Sequence, residues 1–160
     1  MPALGLVDID FEEARRADVL VLVADLLRRA GAEDREPIVY LLQAALRPPY
    51  EGVELGVGDK LLIYAIAASY DAGTTTVERQ YLRLGDLGLV AAGLAGKGGS
   101  RGGTVRDAYQ ALLAIARTSG SGSAERKRTL LVQLLRPLSG VGAKFVVRVA
   151  QGRLRLGVGD

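Results

Sequence analysis

The 160-residue chain contains no cysteine, no histidine and no tryptophan. Without cysteine it can form neither disulfides nor thiolate zinc sites, and without histidine it lacks the commonest general base. Any catalysis would have to use carboxylates, lysine, serine or tyrosine. The chain is 49% hydrophobic, enough to bury the core of one domain, and we therefore predict a single domain over residues 1–160.

Long apolar runs and a basic N-terminus are also lacking. No uninterrupted apolar stretch reaches the roughly 18 residues that span a bilayer, and the first residues carry acids where a secretory signal carries bases. We expect an intracellular protein, in the cytoplasm or nucleoid, with no membrane partner. Asparagine is absent too, and 17 of the 21 basic residues are arginine, which predicts either a heat-adapted source or a GC-rich genome.

The charges are distributed unevenly along the chain. Residues 1–96 carry 9 basic and 15 acidic side chains, whereas residues 97–160 carry 12 basic and 3 acidic ones. The net charges of the two parts are thus −6 and +9. A strongly basic segment favours a polyanionic partner, the alternative being a charged surface that only keeps the protein in solution.

Apolar residues recur at helical spacing through nearly the whole chain, and no segment pair is typical of a hairpin. The fold class predicted is all-α, a compact multi-helix domain. A first helix is predicted to end at Gly31. The predicted starts of the later helices are the caps Asp34, Asp59, Thr75 with Glu78, and Thr104 with Asp107, the turn at Gly85–Gly88, and the residues Ala124 and Ala143.

The pentapeptide Leu-Gly-Val-Gly-Asp occurs twice, at Leu55–Asp59 and at Leu156–Asp160. Each copy ends a longer imperfect repeat, whose units begin near Ala24 and Val132. The pattern predicts duplication of a helical unit with a pseudo-twofold arrangement, unless the pentapeptide recurs by chance. Because the second copy is also the end of the chain, we expect a piece of a longer protein. We assign the first copy to structure and the second to the functional surface.

The basic part contains two candidate phosphate-binding segments. Small residues over 119–123 precede a helix that carries Arg126, Lys127 and Arg128 in its first two turns, and a helix start with free amides attracts phosphate. In the segment Gly152–Gly157, arginine alternates with leucine, which presents two cations on an apolar anchor. An ordinary helix cap is the alternative for the first segment. The candidate site residues are Ser121, Gly122, Ser123, Arg126, Lys127, Gly152, Arg153, Arg155 and Gly157.

Two other binding modes remain open. The segment Pro137–Lys144 resembles the hairpin of helix-hairpin-helix DNA-binding modules, in which Gly-x-Gly amides hold a phosphate; a tight interhelical turn is the alternative. A helical protein-interaction domain, whose basic face meets an acidic protein, is a third hypothesis. No catalytic or metal-binding constellation is visible.

Four segments in order carry a family resemblance: Glu51–Asp59, Gly85–Ala91, the Ser/Gly segment with Arg126 and Lys127, and Phe145–Arg148 with Gly152–Gly157. Together they resemble the N-terminal DNA-binding domain of ATP-dependent DNA ligases of the archaeal and eukaryotic replicative type. The resemblance implies an all-helical domain that binds nicked double-stranded DNA through the minor groove and backbone, in replication and repair. It places the Ser/Gly-capped helix and the Gly-Arg-Leu-Arg segment at the DNA.

The chain also departs from that family. None of its lysines, Lys60, Lys97, Lys127 and Lys144, lies in the Lys-x-Asp-Gly motif of the nucleotidyltransferase domain, so this chain should not ligate DNA alone. The nucleotidyltransferase and OB-fold domains are expected to be absent. ATP and Mg²⁺ would belong to those domains, and no cofactor is expected in this chain. The loop 97–103 lacks the Gln and Phe-Phe motif with which some relatives bind the sliding clamp, so clamp binding is not supported.

Overall fold

A computed structural model describes residues 25, 27–96, 104–138 and 140–152. Within these residues there is no β-strand, and the predicted all-α class is confirmed. None of the helices described is long and apolar enough to cross a membrane. The helices are α1 (Ala32–Leu42), α2 (Asp59–Ser69), α3 (Thr74–Leu84), α4 (Leu87–Ala95), α5 (Val105–Ala116), α6 (Ser123–Leu135) and α7 (Gly140–Gln151), with a 3-10 turn at Pro49–Glu51.

The helices pack mainly in pairs around one hydrophobic core. α4 lies along α7, α2 along α6 and α1 against α5, while α3 contacts both α2 and α4. Burying each large aliphatic side chain contributes about 1.5–3 kcal/mol, so residues that leave no surface exposed dominate the core. The most deeply buried of them are Leu62, Ile66, Val77, Leu87, Val90, Leu112, Ile115, Leu131, Leu135 and Val147.

The start of α5 confirms a prediction made from the sequence. The Asp107 amide donates to Thr104 Oγ1 at 3.1 Å, and the Thr104 amide donates to Asp107 Oδ2 at 3.0 Å. These reciprocal bonds form a capping box, which gives partners to two amides that a helix start would otherwise leave unpaired. The short helix predicted after Gly85 is confirmed as well, and it ends at Ala95 as expected.

Two predicted caps are wrong. Asp59 is the first residue of α2 and caps nothing; its carboxylate instead accepts hydrogen bonds from Tyr81 Oη and Gln151 Nε2, each at 3.1 Å. α3 begins at Thr74, directly after Gly73, so Thr75 lies inside the helix and makes no capping bond. In both cases a glycine occupies the N-cap, which leaves the neighbouring side chains available for other contacts.

The predicted cap at Asp34 is also wrong. α1 begins at Ala32, two residues earlier, and Asp34 is only 2% exposed. Its Oδ1 accepts from Arg106 Nη2 at 3.0 Å, while Nη1 of the same guanidinium lies 2.9 Å from Glu33 Oε2. The Asp34 carboxylate therefore pairs with Arg106 of α5 instead of capping a helix, and this ion pair links α1 to α5.

The internal repeat lies partly outside the described residues. The second pentapeptide and the beginning of the first unit are among the residues not described. The pseudo-twofold arrangement therefore stays a prediction.

The first helix is described only near its end, where residues 27–29 are helical. Gly31 is the N-cap of α1, with an extended backbone, rather than a left-handed C-cap of the first helix.

Candidate nucleic-acid interface

α6 begins at Ser123, after a turn in which two glycines have positive φ. These are Gly120, with φ of 86°, and Gly122, with φ of 74°. Gly122, a member of the Ser/Gly segment, is the N-cap, and no side chain makes a capping hydrogen bond. Within the described residues, the amides of Ala124 and Glu125 donate to no acceptor. Two N–H groups at the positive end of a helix are thus free to meet an anion.

Arg126 holds this turn in place from within the helix. Its Nη1 donates to the Ser121 carbonyl at 2.8 Å and its Nη2 to the Ser119 carbonyl at 2.7 Å. A Cβ on Gly122 would lie 3.3 Å from Nη1, which is a tight contact. The side chain is exposed, and these two bonds among the described residues occupy only two of the five N–H groups of its guanidinium. Arg126 can therefore shape the turn and still present a cation to solvent.

Lys127 contacts the first pentapeptide. Its ammonium donates to the Leu55 carbonyl at 2.9 Å and approaches the Gly56 carbonyl at 3.4 Å. Gly56 has a φ of 65° and no side chain, and a Cβ there would lie 2.9 Å from Nζ. Sequence reasoning placed Lys127 at the DNA and the first pentapeptide in the structural frame. The fold brings the two together.

Arg128 packs on an aromatic ring that the sequence did not single out. Its guanidinium carbon lies 4.1 Å from the centroid of the Tyr64 ring, within the range of a cation–π interaction. Arg128 Nε is buried and makes no hydrogen bond, while Tyr64 remains 42% exposed. Sequence periodicity could not reveal this pair because its members lie on different helices, 64 positions apart.

The starts of α2 and α6 lie at the same end of the domain. Near the helix starts, Lys127 reaches the Leu55 carbonyl; near the helix ends, Arg136 Nη2 donates to the Ala68 carbonyl at 3.1 Å. The two helices therefore run parallel. Because the positive end of a helix dipole is its N-terminus, both dipoles favour an anion at this end.

The end of α7 reaches the same place. Gln151 Nε2 donates to Asp59 Oδ1 at 3.1 Å, so α7 ends beside the start of α2. Gly152 follows in the left-handed region, with a φ of 69°. The other members of that predicted segment, Arg153, Arg155 and Gly157, lie outside the described residues. Of the nine candidate residues, the structure therefore gathers the six it describes at one end of the domain.

The glycines of the proposed hairpin, Gly140 and Gly142, lie in the first turn of α7, where Gly140 contacts the end of α4. α7 begins at Gly140, three residues before the predicted start, and the Gly140 amide donates to the Gly96 carbonyl at 3.0 Å. A Cβ on Gly140 would lie 3.2 Å from that oxygen, and Gly142 is buried. The first glycine amide is thus already occupied where α4 and α7 meet. This geometry counts against a helix-hairpin-helix phosphate site.

Comparison with known proteins agrees with the resemblance seen in the sequence. A family model described as DNA ligase N terminus matches residues 6–160. The chain belongs to this family of DNA ligase N-terminal regions. A DNA ligase of Aeropyrum pernix is 44% identical over 140 residues, covering 77% of this chain and 23% of that protein. A DNA ligase of Saccharolobus solfataricus is 38% identical over 158 residues, covering 91% and 26%.

A probable DNA ligase of Dictyoglomus thermophilum is 36% identical over 146 residues, covering 91% of this chain and 25% of that protein. The chain thus spans about a quarter of the length of these relatives. They come from thermophiles, which is consistent with a heat-adapted source, one of the two explanations of the composition.

Two of the segments that carry the ligase resemblance meet in a buried ion pair. Arg148 is 7% exposed, and its Nε and Nη2 both donate to Asp86 Oδ2, the former at 3.0 Å. The other oxygen of Asp86 accepts from the Gly88 amide at 2.7 Å and caps α4. A Cβ on Gly88 would lie 2.9 Å from Arg148 Cγ and from the Lys144 carbonyl. In this ligase N-terminal domain, the Asp-Leu-Gly pattern and the distant arginine therefore form one structural unit.

The backbone amides and Arg126 at the α6 start are groups that could meet an anion. No group of three or more acidic side chains among the described residues could hold a metal ion. The groups collected at the shared end of α2 and α6 include backbone amides, Arg126 and glycine turns, together with the carboxylates of Asp59 and Glu125. Amides at a helix start and an arginine are groups that bind phosphate.

Proposed function

We propose that this chain binds nicked duplex DNA through the backbone and minor groove, without reading sequence, and holds the nick for the catalytic domains of an ATP-dependent DNA ligase. One observation carries the proposal. The α6 start, with its free amides and Arg126, lies beside the α2 start and the end of α7. Of these, the α6 start and the Gly152–Gly157 segment that follows α7 are the parts that the ligase resemblance assigns to DNA.

Charge and composition support a mode of DNA binding that does not depend on the DNA sequence. Residues 97–160 carry a net charge of +9, and phosphate contacts alone give affinity without specificity. The whole chain has no asparagine or histidine, two side chains suited to hydrogen bonding with base edges. Its role is therefore positional, since phosphate contacts set the register of a duplex.

The catalytic steps belong elsewhere in this proposal. The full-length relatives are about four times as long as this chain. The nucleotidyltransferase and OB-fold domains, with ATP and Mg²⁺, would supply the chemistry, and those domains would be the protein partners of this one. Nothing in the described residues supports a sliding-clamp contact.

Fluorescence anisotropy with nicked duplex, intact duplex and single strands, at salt concentrations from about 50 to 200 mM, tests the proposal. Binding should be tightest to nicked duplex, with a log-log salt slope of about −0.9 per phosphate neutralised. A flat salt dependence or a preference for single strands would refute it. No affinity for any DNA would instead favour a partner protein with an acidic surface.

A matched pair of variants on α6 locates the interface. Arg126 and Arg136 are both exposed, both donate to backbone carbonyls, and lie about 15 Å apart along the helix axis. Arg126→Gln should weaken nicked-duplex binding about tenfold, the equivalent of one charge-assisted contact, and lower the salt slope by about 0.9. Arg136→Gln, at the opposite end, should leave both unchanged. Equal losses in the two variants would remove the interface from the α6 start.

A separate test concerns Arg153 and Arg155, which lie outside the described residues. Reversing both charges, with Arg153→Glu and Arg155→Glu, should reduce the affinity and the salt slope together. An unchanged slope would exclude these two residues from the DNA surface.

A further inference from the structure

We infer that Lys127 is a positioning residue, whose ammonium holds the first Leu-Gly-Val-Gly-Asp turn against α6 instead of neutralising a DNA phosphate. Its Nζ lies 2.9 Å from the Leu55 carbonyl and 3.4 Å from that of Gly56. The part of this inference that concerns DNA rests on the proposed function; the part that concerns the turn does not.

The turn has little else to hold its backbone. Among the described residues, the Lys127 ammonium makes the only hydrogen bonds that reach the backbone of residues 53–57. The remaining attachment is apolar, through Val53, Leu55 and Val57, which pack against the core while staying partly exposed. An ammonium has three donors, so one lysine can bridge two consecutive carbonyls and fix their direction.

Gly56 is shaped to receive this ammonium. Its φ of 65° suits glycine, and any Cβ would lie 2.9 Å from Nζ. The neighbouring cation, Arg126, behaves differently. Among the described residues, Arg126 is exposed and donates only to carbonyls of its own turn. Lys127 is partly buried and donates to carbonyls that lie 72 and 71 positions earlier in the sequence. Neighbouring basic residues therefore have separate tasks.

The position of the turn matters because α2 starts directly after it. The turn fixes how residues 56–58 lie beside the α6 start, at the end of the domain proposed to meet DNA. When the turn is held, its backbone is already ordered before a duplex arrives, and the ordering cost on binding is smaller.

Backbone ¹⁵N relaxation on the free 16.9 kDa protein measures the order of the turn directly. In the parent, Gly56 and Val57 should have order parameters near the rigid value of about 0.85, and Lys127→Met should lower them toward about 0.6. Lys127→Arg, which keeps a cation and several donors, should retain the order. Lys60→Met is the matched control, since Lys60 is exposed in the first turn of α2 and makes no hydrogen bond among the described residues. Unchanged order in Lys127→Met would overturn the inference whether or not the protein binds DNA.

Nicked-duplex binding supplies the second measurement, made well below the unfolding temperature. Lys127→Met should reduce affinity several-fold while the salt slope stays at the parent value, and Lys127→Arg should restore the affinity. A slope reduced by about 0.9 would make Lys127 a phosphate contact and overturn the inference. If the parent itself binds no DNA, the proposed function fails while the relaxation result still decides the role of Lys127.

Gly56→Ala tests the same contact between the Lys127 ammonium and the turn by changing the turn. It replaces Lys127→Met as the test if that variant does not fold. The added methyl group should displace the ammonium and reduce affinity without changing the salt slope. Adding Lys127→Met to Gly56→Ala should then lower affinity little further, because both remove one interaction. Fully multiplicative losses would contradict the inference.

Discussion

The ion pair between Asp86 and Arg148 offers a sharp test of how this fold is held together. Asp86→Asn keeps an oxygen that can cap α4 but removes the charge that faces Arg148. The guanidinium side chain is only 8% exposed, so water cannot fully replace the lost carboxylate. The variant should therefore fold, with clearly lower stability.

The magnitude follows from burial. Removing one partner of a fully buried pair costs about 3–5 kcal/mol. The Asp86 side chain is 28% exposed, and solvent screening therefore lowers the expected cost below that range, to about 2–3 kcal/mol. For a domain of this size each kcal/mol lowers Tm by about 2–4 °C, which predicts a decrease of about 4–12 °C. Asp86→Ala also removes the cap of α4 and should cost about 1 kcal/mol more.

Urea and thermal unfolding followed by circular dichroism at neutral pH measure these differences. Asp25→Asn is the control, because Asp25 and Arg29 form an ion pair in which both side chains are about half exposed. Such a pair contributes less than about 1 kcal/mol. If Asp86→Asn were no more destabilising than this control, or Asp86→Ala no worse than Asp86→Asn, the assigned roles of the carboxylate would be refuted.

Two further outcomes are expected. Gly140→Ala, which puts a methyl group 3.2 Å from the Gly96 carbonyl, should lower Tm while the folded protein keeps its DNA affinity; lost affinity at unchanged Tm would restore the helix-hairpin-helix hypothesis. Hydrogen bonds from Arg47 hold the pKa of Glu51 below its ordinary 4.5, so this carboxylate stabilises the fold above that pH and the contribution is lost as pH falls through the lowered pKa. Glu51→Gln should therefore flatten the acid side of a Tm-against-pH curve, and an equally steep curve would contradict this role.

Helix content was predictable because its signals are local. The helical spacing of apolar residues and the Thr104–Asp107 capping box both lie within a few residues of the structure they specify, and the helices and the box were both confirmed. The caps predicted at Asp34 and Asp59 were wrong for one shared reason. Partners from distant helices, Arg106 in one case and Tyr81 with Gln151 in the other, bind the carboxylates.

The candidate site was only partly accessible to sequence reasoning. The basic residues and the small residues at the start of α6 stand out by composition and spacing. The contacts of Lys127 with Leu55 and of Arg128 with Tyr64 do not, because they join positions more than 60 residues apart. Parallel packing of α2 and α6 creates both.

The sequence by itself determined the helical class, the charge asymmetry and the ligase family, since these depend on composition, local period and ordered motifs. The tertiary structure decided which polar groups remain free for a ligand. Packing brings Lys127 to the Leu55 carbonyl and the Gly140 amide to the Gly96 carbonyl. Among the described residues, it gives the Ala124 and Glu125 amides no acceptor. The physical reason is that a polar group binds whichever partner the packing brings within hydrogen-bonding distance, and packing joins residues far apart in sequence.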